Sequence, residues 1–449
     1  MADYSGATSG DITIQDGDTT GSAGTLSISA GDTCTVEAGA TVSSYQSTWV
    51  FVSGTLVCVG TEDSPIIWRP QAADPAILNG WEGLRVGDDN AEMNVKYTIL
   101  QGSDYIWIDH VGVTLDIQQL IMDNSNRISI ITTQNHDNDI KKIYSKGPNA
   151  IAVDNNHNSG LLNTSWCWFT GSGSAGICFD MDEANGSGTH QIDNIVSVNR
   201  DRIFQVEDAT AIEATQCYFS YGDYPYYVQE ASSDLDISDS VFYKFFYYGT
   251  SLNSATVDSS YNDYISSYQE AYLQVSATLN SDYDYVAGCN RKPSYVVDQT
   301  YDTQVGAYTT RTNQQANPVH PLEVDNISEG TPDQNGITIT YDCKAGTAGS
   351  KRLTGLPFIK YGTTSGTYDM QTKLPPPEDY PLYWIGWKTD MEWKQTGHSV
   401  TLTNLKPGTT YYYKACFVDP FGRLAESEEG DFTTTSSGGG GGEHSYGCV

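Results

Sequence analysis

The chain has 449 residues, and 56 acidic against 23 basic side chains give it a formal net charge of −33 at pH 7. So acidic a surface repels phosphate backbones and anionic lipids, which argues against nucleic acid and membrane surfaces as partners. Tyrosine (31 residues) and glycine (43 residues) are frequent. This composition predicts a β-rich protein of two or three domains.

The chain opens with "MADYSGATSGDITIQ", which has neither the basic nor the apolar region of a secretory signal peptide. Nowhere does an apolar run reach the roughly 18 residues that a membrane-spanning helix needs, so no membrane insertion is expected. We expect residues 1–21 to form an N-terminal arm, and the opening favours assembly inside a cell over secretion.

A short apolar pattern then recurs along the first two thirds of the chain. Its successive spacings are 22, 23, 22, 30, 22, 23, 20 and 22 residues, and polar joints rich in Asn, Asp, Gly and Ser separate the copies. A leucine-rich repeat would need a different leucine register, and a β-sandwich would not keep this period. The period predicts a parallel β-solenoid whose coils stack about 4.8 Å apart. The copies begin at Val95, Ile117, Ile140, Leu162, Ile192, Ala214, Ile237, Val257 and Leu279.

The segment before this repeat resembles the opening coils of right-handed parallel β-helix proteins. The resemblance covers residues 22–288 and implies that fold. It implies little about function, because enzymes, adhesins and viral fibres all use this scaffold. The matching residues are Gly31, Gly39, Gly54, Leu56, Gly60, Pro65, Ile66, Trp81 and Gly83.

A second domain follows a cap or linker at residues 289–320. Residues 321–435 resemble a fibronectin type III domain, with the corner motif at Leu405, Pro407 and Tyr411 and a long insertion at residues 373–394. The resemblance implies a β-sandwich in which the corner tyrosine bonds to the backbone. Residues 436–449 form a Gly-rich tail.

The nine cysteines are an odd number and include no CxxC pair, so a zinc site is not expected. Most are interpreted as small buried hydrophobic residues. A bridge between Cys343 and Cys416 is disfavoured, because strand alternation places Cys416 on the outer face. Cys448, at the end of the tail, is the candidate for contact or a disulfide with a neighbouring chain.

One group of acidic and basic residues, which lies in the 30-residue step of the repeat, is the candidate for a catalytic site. The alternative interpretation is a solvated loop with salt bridges. The same loop, "DMDEANG", resembles a calcium loop at Asp180 and Asp182, but its Gly falls one position late and the final Glu is absent. We therefore expect no cofactor and no catalysis, with calcium as the candidate ion. The candidate catalytic residues are Asp180, Asp182, Glu183, Arg200 and Arg202.

Tyrosines are concentrated in the later coils, from "YFSYGDYPYYVQ" to "SDYDYV". Alternation predicts that about half of these rings point outward, where they could stack on sugar rings or form a protein interface. The alternative is an internal aromatic stack.

The predicted architecture is thus all-β, a right-handed parallel β-helix followed by a fibronectin type III-like sandwich. Its acidic, Gly/Ser/Thr-rich opening resembles phage fibre and decoration proteins. This favours a non-enzymatic structural component of a virion (fibre, collar or decoration protein) that takes part in attachment to a host surface or glycan. The expected partners are other virion or fibre proteins and further copies of the chain, with a trimer as the expectation for fibres. The alternatives are an extracellular adhesin or fibre on a cell surface, and a polysaccharide lyase or hydrolase.

Overall fold

A computed structural model provides the structure of the chain, which is nearly all-β. In the part described, helix is confined to the 3-10 turn Pro377–Asp379 and the short α-helix Tyr380–Trp384, and neither can cross a membrane. The described residues are 2–71, 80–108, 113–123, 127–131, 138–147, 151–156, 161–171, 176–181, 188–207, 210–222, 224–229, 233–245, 252–253, 256–265, 278–282, 284–287, 308–312 and 317–436.

Two compact units make up the chain. The first comprises Met1–His320 together with Gly346–Lys351 and Glu378–Asp390, and the second begins at Pro321. The insertion that the sequence placed within the fibronectin-like domain therefore contributes Glu378–Asp390 to the first unit.

The first unit is a parallel β-solenoid, as predicted; its right-handed sense stays a prediction. Its described strands form sheets of 16, 11 and 8 strands, and each strand pairs in parallel with its counterpart in the next coil. Sheet 1 contains Asp3–Tyr4, Ile12–Ile14, Thr19–Thr20, Thr33–Val36, Thr41–Ser44, Thr55–Val59, Ile66–Pro70, Glu92–Gln101, Thr114–Asp123, Ile143–Lys146, Trp168–Thr170, Val196–Val198, Tyr218–Ser220, Val241–Tyr243, Asp263–Ile265 and Tyr285–Ala287. Sheet 2 contains Gly6–Ala7, Leu26–Ile28, Trp49–Val52, Trp81–Val86, Ser103–Ile108, Arg127–Ile131, Ile151–Asn156, Ile177–Met181, Arg202–Val206, Tyr224–Gln229 and Leu252–Asn253. Sheet 3 contains Asn138–Lys141, Leu162–Ser165, Thr189–Asp193, Ala211–Thr215, Asp234–Ser238, Thr256–Ser260, Thr278–Asp282 and Tyr308–Thr312.

The corner between sheets 3 and 1 is a column of left-handed backbone. Each N–H from Lys142 to Tyr261 in this column donates to a carbonyl of the following coil at 3.0–3.3 Å. Because these coil-to-coil bonds fix the corner, it accepts large side chains as well as the Asn, Asp, Gly and Ser that the sequence predicted at the joints. The column begins with Tyr97 and Gln119, which lie within strands of sheet 1. It continues at the corner with Lys142, Trp166, Asn194, Gln216, Asp239 and Tyr261, and φ is between 46° and 56° throughout.

Aromatic rings fill the interior of the later coils. The ring centre of Phe219 lies 5.6 Å from that of Phe204 and 5.3 Å from that of Phe242. Phe242 in turn stacks on Tyr264, with ring centres 4.6 Å apart. All four side chains are fully buried. The predicted internal stack is therefore present, and it fixes one coil against the next.

The register of the repeat differs from the prediction in two coils. Ile140 pairs with Thr164 rather than Leu162, and Ile237 pairs with Ser259 rather than Val257. Residues two apart on a strand face the same side. Leu162 and Thr164 are therefore both buried, and so are Val257 and Ser259. The sequence pattern selected the apolar residues Leu162 and Val257, whereas the polar residues Thr164 and Ser259 are the ones in register with the preceding coil.

Residues 1–21 do not form the expected arm. Asp3–Tyr4 pairs in parallel with Thr19–Thr20, and Gly6–Ala7 pairs with the strand Leu26–Ile28. The solenoid thus begins at these residues, because their backbone groups find partners in the next coil.

The second unit is a β-sandwich that resembles a fibronectin type III domain. As the motif predicted, the corner tyrosine Tyr411 is buried and its hydroxyl oxygen accepts the N–H of Lys406 at 2.9 Å. One sheet contains Val324–Glu329, Ile337–Cys343 and His398–Leu402, and the other contains Leu356–Gly362, Met370–Gln371, Thr410–Val418, Leu424–Glu426 and Gly430–Thr433.

The described cysteines are buried free thiols, as interpreted from the sequence. Cys416 is fully buried, and it forms no bridge with Cys343, as expected. Instead the sulfur of Cys343 lies 3.3 Å from Nε2 of the buried His398.

Candidate functional site

The structure separates the residues of the candidate catalytic constellation. Asp180 lies half-buried on sheet 2, in register with Gln205 of the next coil. Arg202, on the same strand as Gln205, donates from Nη1 to Gln205 Oε1 at 2.6 Å, and its guanidinium lies 4.5 Å from the ring centre of Tyr227. Arg202 is thus engaged by neighbours on the outer face.

Arg200 does not join that face. Its side chain is 1% exposed, and burial lowers its pKa. Because Arg200 is buried whereas Arg202 is partly exposed, the two cations do not form one basic site. Asp182, Glu183 and the rest of the calcium-like loop lie outside the described residues, and so does Cys448.

The tyrosine-rich coils divide between the interior and the surface. Tyr218, Tyr226 and Tyr264 are buried, whereas Tyr221 is 47% exposed. On the outside, the ammonium of Lys244 donates to the Tyr221 hydroxyl at 2.9 Å and lies 4.8 Å from the ring centre of Tyr243. The outward rings therefore form a small surface cluster around one lysine.

Sheet 3 carries an acidic column that the sequence analysis missed. Glu213, Asp236 and Asp258 occupy register positions on three successive coils. Asp234 extends the column, and carboxylate oxygens of Asp234, Asp236 and Asp258 all lie within 4.8 Å of one another. The column exists because the period of the repeat places an acid at the same position of the strand in three successive coils.

Electrostatic repulsion is concentrated at the middle of this column. Burial and the charges of Asp234, Asp258 and Glu213 raise the pKa of Asp236 to about 6. Amides flank the two ends: Gln191 donates to Glu213 at 3.0 Å, and Asn280 donates to Asp258 at 2.6 Å.

Chemically, an all-oxygen set of this kind suits a hard cation such as Ca²⁺. Exposed acidic groups are also common without an ion. The signal that could have found the column is the 22- to 23-residue spacing of Glu213, Asp236, Asp258 and Asn280, which repeats the period of the coils.

Comparisons with known proteins address the C-terminal unit. Residues 325–434 match the family described as "Purple acid Phosphatase, N-terminal domain". A similar solved structure is the solution structure of the fibronectin type-III domain of human fibronectin type III domain containing protein 3. It is 16% identical, with 27% of this chain and 94% of that chain covered and a TM-score of 0.17. No curated protein matches the chain. The family match spans about a quarter of the chain and concerns one domain, so it assigns no activity to the whole.

Proposed function

We propose that this chain is a non-enzymatic structural component of a virion, of the fibre, collar or decoration type, and that it takes part in attachment to the host surface. The observation that carries the proposal is the construction of the solenoid: parallel coils joined by backbone hydrogen bonds and filled by an aromatic interior. Such a scaffold resists bending because each coil is held by both neighbours.

The interior supports this role along much of its length. Phe169 contacts Phe179 at 5.7 Å, and Phe179 stacks on Phe204 of the next coil at 5.5 Å. Beside these rings, buried polar groups of the later coils are hydrogen-bonded to one another. The N–H of Ser240 donates to Asn262 Oδ1, and the N–H of Asn262 donates to Asp284 Oδ1, each at 2.9 Å. Buried groups that are satisfied in this way favour a single rigid arrangement.

Charge supports a place in a crowded assembly. A net charge of −33 keeps closely packed copies soluble and discourages adhesion to nucleic acid during assembly. The proposed partners are other virion proteins and further copies of the chain, with the trimer as the first oligomer to test.

The enzyme alternative has a direct test. The purified chain is incubated with acidic and neutral polysaccharides, and new reducing ends and unsaturated products are measured. The proposal predicts no release above background, and the same result for an Asp182→Ala variant. Release of oligosaccharides by the wild type, lost in Asp182→Ala, would contradict it.

A further inference from the structure

Sheet 2 carries a cluster of aromatic side chains on its outer face, well separated in sequence from the tyrosine-rich coils. Trp49, Tyr105 and Trp107 contact one another with ring centres 5.5–5.9 Å apart, and all three are half-buried. They come from strands two coils apart, because both strands pair with Trp81–Val86 between them. We call Trp49, Phe51, Arg85, Tyr105 and Trp107 the aromatic platform.

A glycine makes this approach feasible. Gly83 lies in register between Trp49 and Tyr105. Its φ is +115°, and a Cβ there would lie 1.9 Å from the carbonyl oxygen of Tyr105. With no side chain on the middle strand at this point, Trp49 and Tyr105 close over the gap, and their rings are 17° from parallel.

Arg85 places a cation within the platform. Its guanidinium carbon lies 5.0 Å from the ring centre of Trp107, 5.7 Å from that of Phe51 and 5.9 Å from that of Trp49. Packing among three rings holds the planar guanidinium in a defined position at low entropic cost.

Two carboxylates lie on the strands that carry Arg85 and Trp107. Glu82 precedes Gly83, Asp104 precedes Tyr105, and both side chains are half-buried. Burial and the charge of Asp104 raise the pKa of Glu82. These two strands therefore carry ring surfaces, a guanidinium donor and partly exposed carboxylate acceptors.

We propose that the aromatic platform binds a neutral glycan, with sugar rings stacked on its aromatic side chains and hydroxyl groups bonded to Arg85, Glu82 and Asp104. Pyranose rings present apolar C–H faces that complement aromatic rings, and their hydroxyls both donate and accept hydrogen bonds. The carboxylates and the net charge of −33 disfavour an anionic glycan. A hydrophobic protein partner would have to bury three charged side chains without compensation.

This inference deepens the attachment part of the proposed function and assigns it to one surface. The test uses the full-length chain on an array of neutral and anionic oligosaccharides, followed by tryptophan-fluorescence titration of the neutral oligosaccharides that bind. We expect binding to neutral members and a loss of about ten-fold or more in affinity for Trp107→Ala, the effect expected when a central aromatic residue is truncated. Trp107→Phe, which keeps a ring, should retain most of the affinity.

The matched control is Tyr221→Ala, which removes an exposed ring elsewhere on the solenoid and should leave affinity unchanged. The midpoint of thermal unfolding shows whether each variant is folded, and Tyr105→Ala serves in place of Trp107→Ala if that variant is not. No binding to any neutral oligosaccharide, or equal losses in the platform and control variants, would overturn the inference. Neither result bears on whether the chain is part of a virion, because that is measured separately.

Discussion

At the scale of single residues, Asp236 links charge to stability. Its pKa in the folded chain is raised to about 6, so its contribution to stability is most favourable below its ordinary value near 3.8 and is lost as pH rises through 6. Asp236→Asn removes the charge. Since the side chain is exposed, solvent screening reduces the effect, and we expect a gain of about 1 kcal/mol at pH 7 that vanishes below about pH 4.

Thermal unfolding of the wild type and Asp236→Asn at pH 4 and pH 7.5 measures this difference. Glu62→Gln, an exposed acid outside the column, is the control and should change the midpoint little at either pH. A gain for Asp236→Asn that is equal at both pH values would show that repulsion in the column is not its source.

Asn199 tests the left-handed corner between sheets 1 and 2. It is exposed, its φ is 58°, and its N–H donates to the carbonyl of Ser220 at 3.0 Å. Asn199→Val should cost about 1 to 2 kcal/mol, because a β-branched residue is strained at this φ, while Asn199→Gly should be close to neutral. Chemical denaturation provides the measurement, and equal stability of the two variants would count against the corner geometry.

At the scale of the element, the interior stack predicts a local loss of order. Phe219 is fully buried between Phe204 and Phe242. Phe219→Ala should cost about 3 to 5 kcal/mol, because a cavity opens among rings that cannot collapse into it. Hydrogen exchange should therefore accelerate in the strands of the neighbouring coils and much less in distant ones, since each coil contacts only its neighbours.

Tyr243→Ala is the control for this variant. Its ring lies on the outer face of the same sheet and packs beside Lys244. Hydrogen exchange in the neighbouring strands should therefore change little. Uniform acceleration over the whole solenoid after Phe219→Ala would contradict coil-by-coil stability.

The same elements show what the sequence could predict. The step from Val95 to Ile117 revealed the period, because apolar residues must recur wherever coils stack, and these two residues pair in the structure. The sequence could not choose between Leu162 and Thr164, because both face inward and only backbone pairing decides the register. In the same way, the acids of the column are remote in sequence and meet only because coils stack in register.

At the scale of the whole molecule, the chain has two units, and the family match concerns only the second. The sandwich carries a local corner motif around Tyr411, and both its motif and its family match identify the same fold. The aromatic platform depends on Gly83, which lies in register between Trp49 and Tyr105 on the strand between theirs, so no local motif predicts it. The solenoid fold could therefore be predicted from the period of the sequence. The surface sites could not, because their residues meet only when the strands stack.

The central claim, that the chain is a structural part of a virion, is tested most directly by quantitative mass spectrometry of gradient-purified particles from cells in which the chain is expressed during infection. The account predicts that the chain is present at a fixed copy number relative to the major capsid protein, and that this ratio is unchanged by further purification. Recovery of the chain only with the cell envelope or the medium, with none in the particles, would contradict it.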